Sequence, residues 1–303
     1  MRSPLPTLPV SYSRAERAAC STRDSDGRAF RQKVLLPCHP SRQGVRIVHM
    51  TTLTSLTRAR LRGYNLGMGA LHAIQGVVVL LLANDFTLPV VATYMTGSPG
   101  ASDPSVEPLF DVSVAWGVAI FLLMSAVAHF TITLPWVFPW YLRNLENQRN
   151  YARWIEYSFS SSVMVVLIAM LVGIADVAAL IAIAGVNASM ILFGLLQEKY
   201  ETPGKSVSWL SYWFGVFAGA ISWIAIAIYL FSPGFEASPP DFVYWIFFSL
   251  FVLFNIFAIV MVLQYKKVGR WSNYVFGEST YILLSLVAKS LLAWQVFAGT
   301  LAL

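Results

Sequence analysis

The chain has 303 residues, 57% hydrophobic and 12% charged, with a mean hydropathy of +0.62. That composition excludes an ordinary soluble domain and places the chain among membrane proteins. Its formal charge of +6 does not point to nucleic acid: residues 1–49 hold nine Lys/Arg and three Asp/Glu, and the remainder, twelve against twelve, is neutral.

Residues 1–49 are rich in Pro, Ser and Arg, carry both cysteines (Cys20 and Cys38) and lack helical or strand periodicity, which predicts a disordered extension. They lack the apolar stretch of roughly 7–15 residues that a signal peptide requires. Met50 opens a second start, so the extension also reads as an upstream translation artefact. The fold, expected over 50–303, needs no disulfide.

A hydrocarbon core about 30 Å thick needs roughly 20 apolar residues per helix. Spans are expected at about 64–83, 112–133, 207–231, 242–264 and 281–303. The stretch Trp154–Leu196 would be on the order of 65 Å long as one helix, twice the membrane. It must therefore fold back around Gly173–Asp176, giving spans at about 152–174 and 177–196. The expected fold is an all-α membrane bundle of seven transmembrane helices. The first loop, Asn84–Leu109, holds a β-favouring stretch, Thr87–Met95, before a Ser98–Pro99–Gly100 turn. It reads either as a small hairpin or as an irregular loop.

Four segments carry the basic residues: Arg58, Arg60 and Arg62 before the first span; Arg143, Arg149 and Arg153 between the second and third; Lys199 and Lys205 after the fourth; Lys266, Lys267 and Arg270 after the sixth. The opposite loops carry Asp85, Asp103, Glu107, Asp111, Asp176, Glu236 and Asp241 and no Lys or Arg. The positive-inside rule then puts the N-terminus in the cytoplasm and the C-terminus outside, as expected of a multi-pass protein of the plasma membrane.

Lys289 sits in the otherwise uncharged run Tyr281–Leu303. An ammonium near the bilayer centre costs about 3 kcal/mol even on the lenient insertion scale, so it marks a functional site and needs a partner. Glu278, Ile282, Ser285, Lys289, Leu292 and Val296 share one helical face, and helical side chains lean toward their own N-terminus, here the cytoplasmic half. Glu156, near the start of the third span beside Tyr157, Ser160 and Ser161, is the natural partner. His72 and Gln75, three apart, and Ser125 and His129, four apart, add polar groups to that half. The outer half offers few, with Asn187 and Asn255 as exceptions nearer the middle. A transported ion needs stations on both sides, so the asymmetry favours sensing over transport.

The same residues admit plainer roles. Lys289 and Glu156 form a structural ion pair in one reading, and His72 and His129 are hydrogen-bonded interior histidines in another. A metal site is disfavoured, because these groups come from different helices without compact ligand spacing. Trp209, Trp213, Phe214 and Phe217, with Phe247, Phe248, Phe251 and Phe254, read as packing unless a flat apolar ligand lies between their helices. Glu198 and Glu201 read as solvated loop charges.

Seven spans with a lysine in the middle of the last resemble the retinylidene proteins. The segment Ser285-Leu-Val-Ala-Lys289-Ser-Leu-Leu-Ala-Trp294, with Arg153-Trp-Ile-Glu156-Tyr157-Ser-Phe-Ser-Ser161 and the inverted orientation, resembles the heliorhodopsins over Met50–Leu303. The resemblance implies a rhodopsin-like bundle with all-trans retinal on Lys289 as a protonated Schiff base, Glu156 as counterion, and Ser285, Ser125 and Ser161 around them. His72, His129, Gln75 and Tyr141 or Tyr157 would form a cytoplasmic-side cavity that handles the proton. Met190, Gly194, Trp213 and Phe217 are further pocket candidates, placed by helix position. It also implies a homodimer, with a role for the first outer loop. Proton pumps of similar fold usually place a second carboxylate eleven residues after the third-span acceptor; here Leu167 stands there, and Ser160 at plus four, which disfavours an outward pump. The expected function is therefore a non-enzymatic light sensor that signals to lipid or to a cytoplasmic partner. The alternatives are a light-driven ion transporter or channel, a retinal-free carrier, or enzymatic regulation of a soluble partner through the cytoplasmic loops, especially Pro135–Asn150.

Overall fold

In the computed structural model, which describes residues 53–101, 103–202, 205–232 and 239–301, seven helices are long and apolar enough to cross a bilayer. They are α1 (Ser55–Leu82), α2 (Val114–Thr133), α4 (Tyr151–Leu171), α5 (Val177–Tyr200), α6 (Leu210–Phe231), α7 (Asp241–Tyr265) and α8 (Tyr274–Val296), the last continued by a π-helical turn, Phe297–Leu301. The expected extension at 1–49 lies outside the described residues. The protein is a multi-pass membrane protein with one end rich in arginine and lysine, the basic end, and an opposite acidic end.

Two spans begin earlier than hydropathy alone places them. Thr54 caps α1 by accepting from the Thr57 N–H, and Asn273 caps α8 by accepting from the Val275 N–H, so the polar first turns of both are helical. A hydropathy scan ends where charge begins, whereas a helix ends where its hydrogen bonds do. The second loop also contains an unforeseen short helix, α3 (Phe138–Glu146), with a proline at its start. It buries Tyr141, Leu142 and Leu145 against Leu61 of α1.

The fold-back expected in the long apolar stretch occurs between α4 and α5. Gly173 takes φ +98° there, and the Asp176 carboxylate caps α5 by accepting from the N–H groups of Ala178 and Ala179. Of the two readings of the first loop, the hairpin is correct: β1 (Thr87–Tyr94) pairs antiparallel with β2 (Ser105–Ser113), with a register shift at Val90/Val91. The hairpin rests on the α4–α5 turn, because the Val91 N–H donates to the Ala175 carbonyl at 2.9 Å.

Below the hairpin, the acidic half is filled by apolar side chains, among them Val79, Val118, Phe121, Val165, Ile168, Leu292 and Val296, all fully buried. Backbones approach closely between α1 and α2, α4 and α5, α5 and α6, α2 and α4, and α7 and α8; α6 and α7 stand farther apart and meet through aromatic rings, such as Trp223 and Phe247 with centroids 5.4 Å apart. At the acidic end the first and last spans are tied: the Asn84 N–H donates to the Leu301 carbonyl at 3.3 Å, and Asn84 Nδ2 donates to the Thr300 carbonyl at 3.0 Å. Nearer the basic end, Tyr64 Oη donates to the Ser279 carbonyl at 3.3 Å.

Because an L side chain is strained at a positive φ, Gly173→Ala is expected to destabilise the protein by about 1–2 kcal/mol. Gly185→Ala, where an added Cβ meets nothing within 4 Å, is the control. Thermal unfolding in one detergent compares them, and equal midpoints would show that the turn does not need its glycine.

Candidate functional site

The polar interior is built where α2, α4 and α8 meet. Lys289 is buried, and its Nζ donates to Glu156 Oε1 at 2.8 Å, to Ser125 Oγ at 2.5 Å and to Ser285 Oγ at 3.1 Å. Ser125 Oγ in turn donates to Glu156 Oε1 at 2.6 Å. The ammonium also lies 5.1 Å from the centre of the Tyr157 ring, and Tyr157 Oη donates to the Tyr281 carbonyl at 2.9 Å. Each charge therefore has an opposite charge and neutral partners, the condition for holding both out of water.

Lys289 opens into a cavity of about 270 Å³. Its walls are largely aromatic and small: Trp154 and Tyr157 from α4, Gly194 from α5, Trp223 from α6, Phe254 from α7 and Tyr281 from α8. On α6 the lining runs from Ser211 to Trp223, about 18 Å of helix axis. An amine beside a carboxylate at the side of an elongated apolar cavity suits covalent capture of an elongated apolar carbonyl compound.

Of the other expected pocket residues, Ser161 and Met190 line this cavity, and Asn187 Nδ2 donates to Ser161 Oγ at 2.8 Å. Trp213 and Phe217 do not line it: they are 62% and 68% exposed on the outer surface of α6. Gly215 and Gly219 face the cavity instead. In a bilayer, lipid tails are as apolar as a protein core, so bulky aromatics need not turn inward, while small residues mark close packing. The glycine spacing, and not the aromatic one, carried the signal.

His72 is fully buried, and its ring stacks on that of His129 with centroids 5.7 Å apart. His129 Nδ1 bonds Asn65 Oδ1 at 2.8 Å. Gln75 stands apart from this pair and accepts from Trp294 Nε1 at 3.0 Å. Tyr141 is joined to a different cluster, where its Oη donates to Glu278 Oε1 at 3.4 Å. Burial, and then the Glu278 carboxylate, push the Tyr141 phenol well above its usual range. Among the described residues no group of His, Cys, Asp and Glu could hold a metal ion.

That second cluster corrects the reading of Glu198 as a solvated loop charge. Arg153 is buried and donates from Nη2 to Glu198 Oε1 at 2.8 Å and from Nη1 to Glu278 Oε2 at 2.5 Å. Glu198 also accepts from Tyr274 Oη at 2.7 Å, Trp154 Nε1 at 2.5 Å and the Asn150 N–H at 2.8 Å. Asn150 Nδ2 donates to Glu278 Oε1 at 2.5 Å. Charges at span ends look solvated one helix at a time, but these three come from α4, α5 and α8, and the two carboxylates share the one guanidinium. Glu201 also has partners, accepting from Gln197 Nε2 at 3.0 Å and the Ser208 N–H at 2.8 Å.

A sequence model of the heliorhodopsin family matches residues 61–301. A comparison with curated protein sequences finds no match. Among solved structures, the chain is similar to the light-driven proton pump LR (Mac) from Leptosphaeria maculans, with a TM-score of 0.55 and 13% identity over 79% of this chain and 95% of that one. It is also similar to the transmembrane domain and linker region of the Salpingoeca rosetta rhodopsin phosphodiesterase, with a TM-score of 0.56 and 13% identity over 79% of each chain. At these identities the likeness is one of fold.

Removing the guanidinium would leave two buried carboxylates facing each other. Arg153→Ala is therefore expected to lower stability by about 3–5 kcal/mol. Arg58→Ala, which breaks the exposed 3.2 Å pair with Glu146, should cost no more than about 1 kcal/mol. Thermal melts of the two variants check this, and equal losses would mean that the buried cluster contributes no more than a surface pair.

Proposed function

The chain belongs to the heliorhodopsin family of retinal-binding rhodopsins, and we propose that it is a light sensor in which Lys289 carries all-trans retinal as a protonated Schiff base with Glu156 as counterion. The observation that carries this reading is the 2.8 Å pair of Lys289 and Glu156 at the wall of an elongated aromatic cavity. The residues fit the chromophore: an amine to condense with its aldehyde, a carboxylate to balance the resulting cation, and apolar walls for a polyene. Bound there, retinal supplies light absorption and isomerisation about a double bond.

The chain's own groups do the rest. Glu156 favours the protonated nitrogen through its charge, in a setting that screens it weakly. Ser125 and Ser285 hold the lysine end toward that carboxylate. His72 and His129, whose rings stack on each other, are in this reading the groups assigned to hold the proton internally. In this reading the basic end is cytoplasmic, and a change in helix packing there is read by a partner.

What supports sensing over transport is the distribution of buried charge. Arg153, Glu198, Glu278, His72 and Lys289 all lie at the level of Lys289 or on its basic side. On the acidic side, Val118, Phe121, Ile168, Leu292 and Val296 close the interior. A proton leaving the site meets no buried ionisable side chain in that half among the described residues, so net passage lacks its second set of stations.

Purified protein is expected to gain a visible absorption band on addition of all-trans retinal, red-shifted from free retinal, and Lys289→Ala is expected to abolish it. Retinal bound to the wild type with no red-shifted band would count against the protonated linkage. In liposomes, illumination is expected to produce no sustained pH change or current. A sustained one would replace the sensor with a transporter.

A further inference from the structure

Trp154 belongs to two structures at once. Its ring forms part of the cavity wall and packs so closely on Gly194 that a Cβ there would strike it. Its Nε1 donates to Glu198 Oε2 at 2.5 Å, and the Arg153 guanidinium lies 4.7 Å from its ring centre. Tyr281, a second wall residue, holds the same guanidinium 4.2 Å from its own ring. The charged cluster thus rests directly on two aromatic walls of the cavity. Glu198 is its hub: through that carboxylate, α4 (Arg153 and Trp154), α8 (Tyr274) and the segment entering α4 (Asn150) are joined to the last turns of α5.

We propose that Trp154 is a positioning residue that couples the filling of the cavity to the Arg153–Glu198–Glu278 cluster, making this cluster the latch through which the basic end responds. Only the identity of the natural trigger rests on the retinal reading. A ring displaced by what fills the cavity withdraws a donor from Glu198 and shifts the surface beneath the guanidinium. Two carboxylates share one guanidinium in a water-poor setting, so a lost donor weakens the whole cluster and not a single bond. The ends of α5 and α8 are then less firmly held, and the loops that follow α5 and precede α8 lie at the basic end.

Gly194→Ala imitates the trigger without a ligand, because the added methyl pushes the Trp154 ring. In full-length protein without retinal and in the dark, hydrogen–deuterium exchange at the end of α5 (193–200) and the start of α8 (274–280) is expected to rise about tenfold in this variant, the scale of one lost hydrogen bond to a buried charge. The hairpin, and all segments of Gly185→Ala, are expected to stay at wild-type rates. Wild-type exchange in Gly194→Ala, or an equal rise in every segment, overturns the proposal. Adding Gly194→Ala to Glu198→Gln should produce no further rise, since the loss of the Glu198 charge already loosens the cluster through which Gly194→Ala acts; an additive rise also overturns it. In pigmented wild type, light is expected to raise exchange in the same two segments, and no change there overturns the latch. A wild type that forms no pigment counts against the retinal reading and leaves the Gly194→Ala comparison, which needs no ligand, to decide the coupling.

Discussion

An ammonium on α8 and a carboxylate on α4, 2.8 Å apart inside the bundle, constrain nearly everything around them. Neither charge is tolerable alone in hydrocarbon, so the helices that carry them must keep a register that lets them meet. Ser125 on α2 and Ser285 one turn before the lysine complete the shell, and α2 is drawn into the same register. The geometry that makes the pair affordable also leaves the amine at the side of a cavity, where it can react. Stability and function here are two demands on one contact.

The rest of the interior divides along the membrane normal. Toward the acidic end, packing is apolar side chain against apolar side chain and needs no partners. Toward the basic end many buried groups are polar, and the charged ones have partners: Glu278 in Asn150 and Arg153, Glu198 in four donors, as Asn65 has in His129, whereas both ring nitrogens of His72 and Arg153 Nε have none among the described residues. Networks of this kind hold a particular arrangement when complete and lose several contacts together when one member moves. A half that responds is thereby joined to a half that stays closed.

Much of this was legible in the sequence. The seven spans follow from apolar length, the fold-back from an impossible helix length, and Lys289 with Glu156 from the cost of an unpaired charge. Other features were not. Arg153 and Glu198 lie at the ends of their spans, where a charge is ordinarily wet, and only the packing of three helices reveals them as buried. Trp213 and Phe217 misled because apolarity does not distinguish lipid from protein. Trp154 stands within the third-span motif, but its double attachment to cavity and cluster depends on Gly194 of a neighbouring helix, which no spacing along one helix encodes. The polar first turns of α1 and α8 were missed because capping by Thr54 and Asn273 extends a helix beyond its greasy length.

The bonds from Asn84 to Thr300 and Leu301 close the ring of helices between its first and last members at the acidic end, and the hairpin seated on the α4–α5 turn braces the same end. Were the Arg153–Glu198–Glu278 cluster to open, the acidic end would serve as the pivot and the basic end as the moving tip of each lever. A rotation of a few degrees at the fastened end is lost within the packing there, but along a helix of roughly 30 Å it becomes a displacement of one or two ångströms at the other.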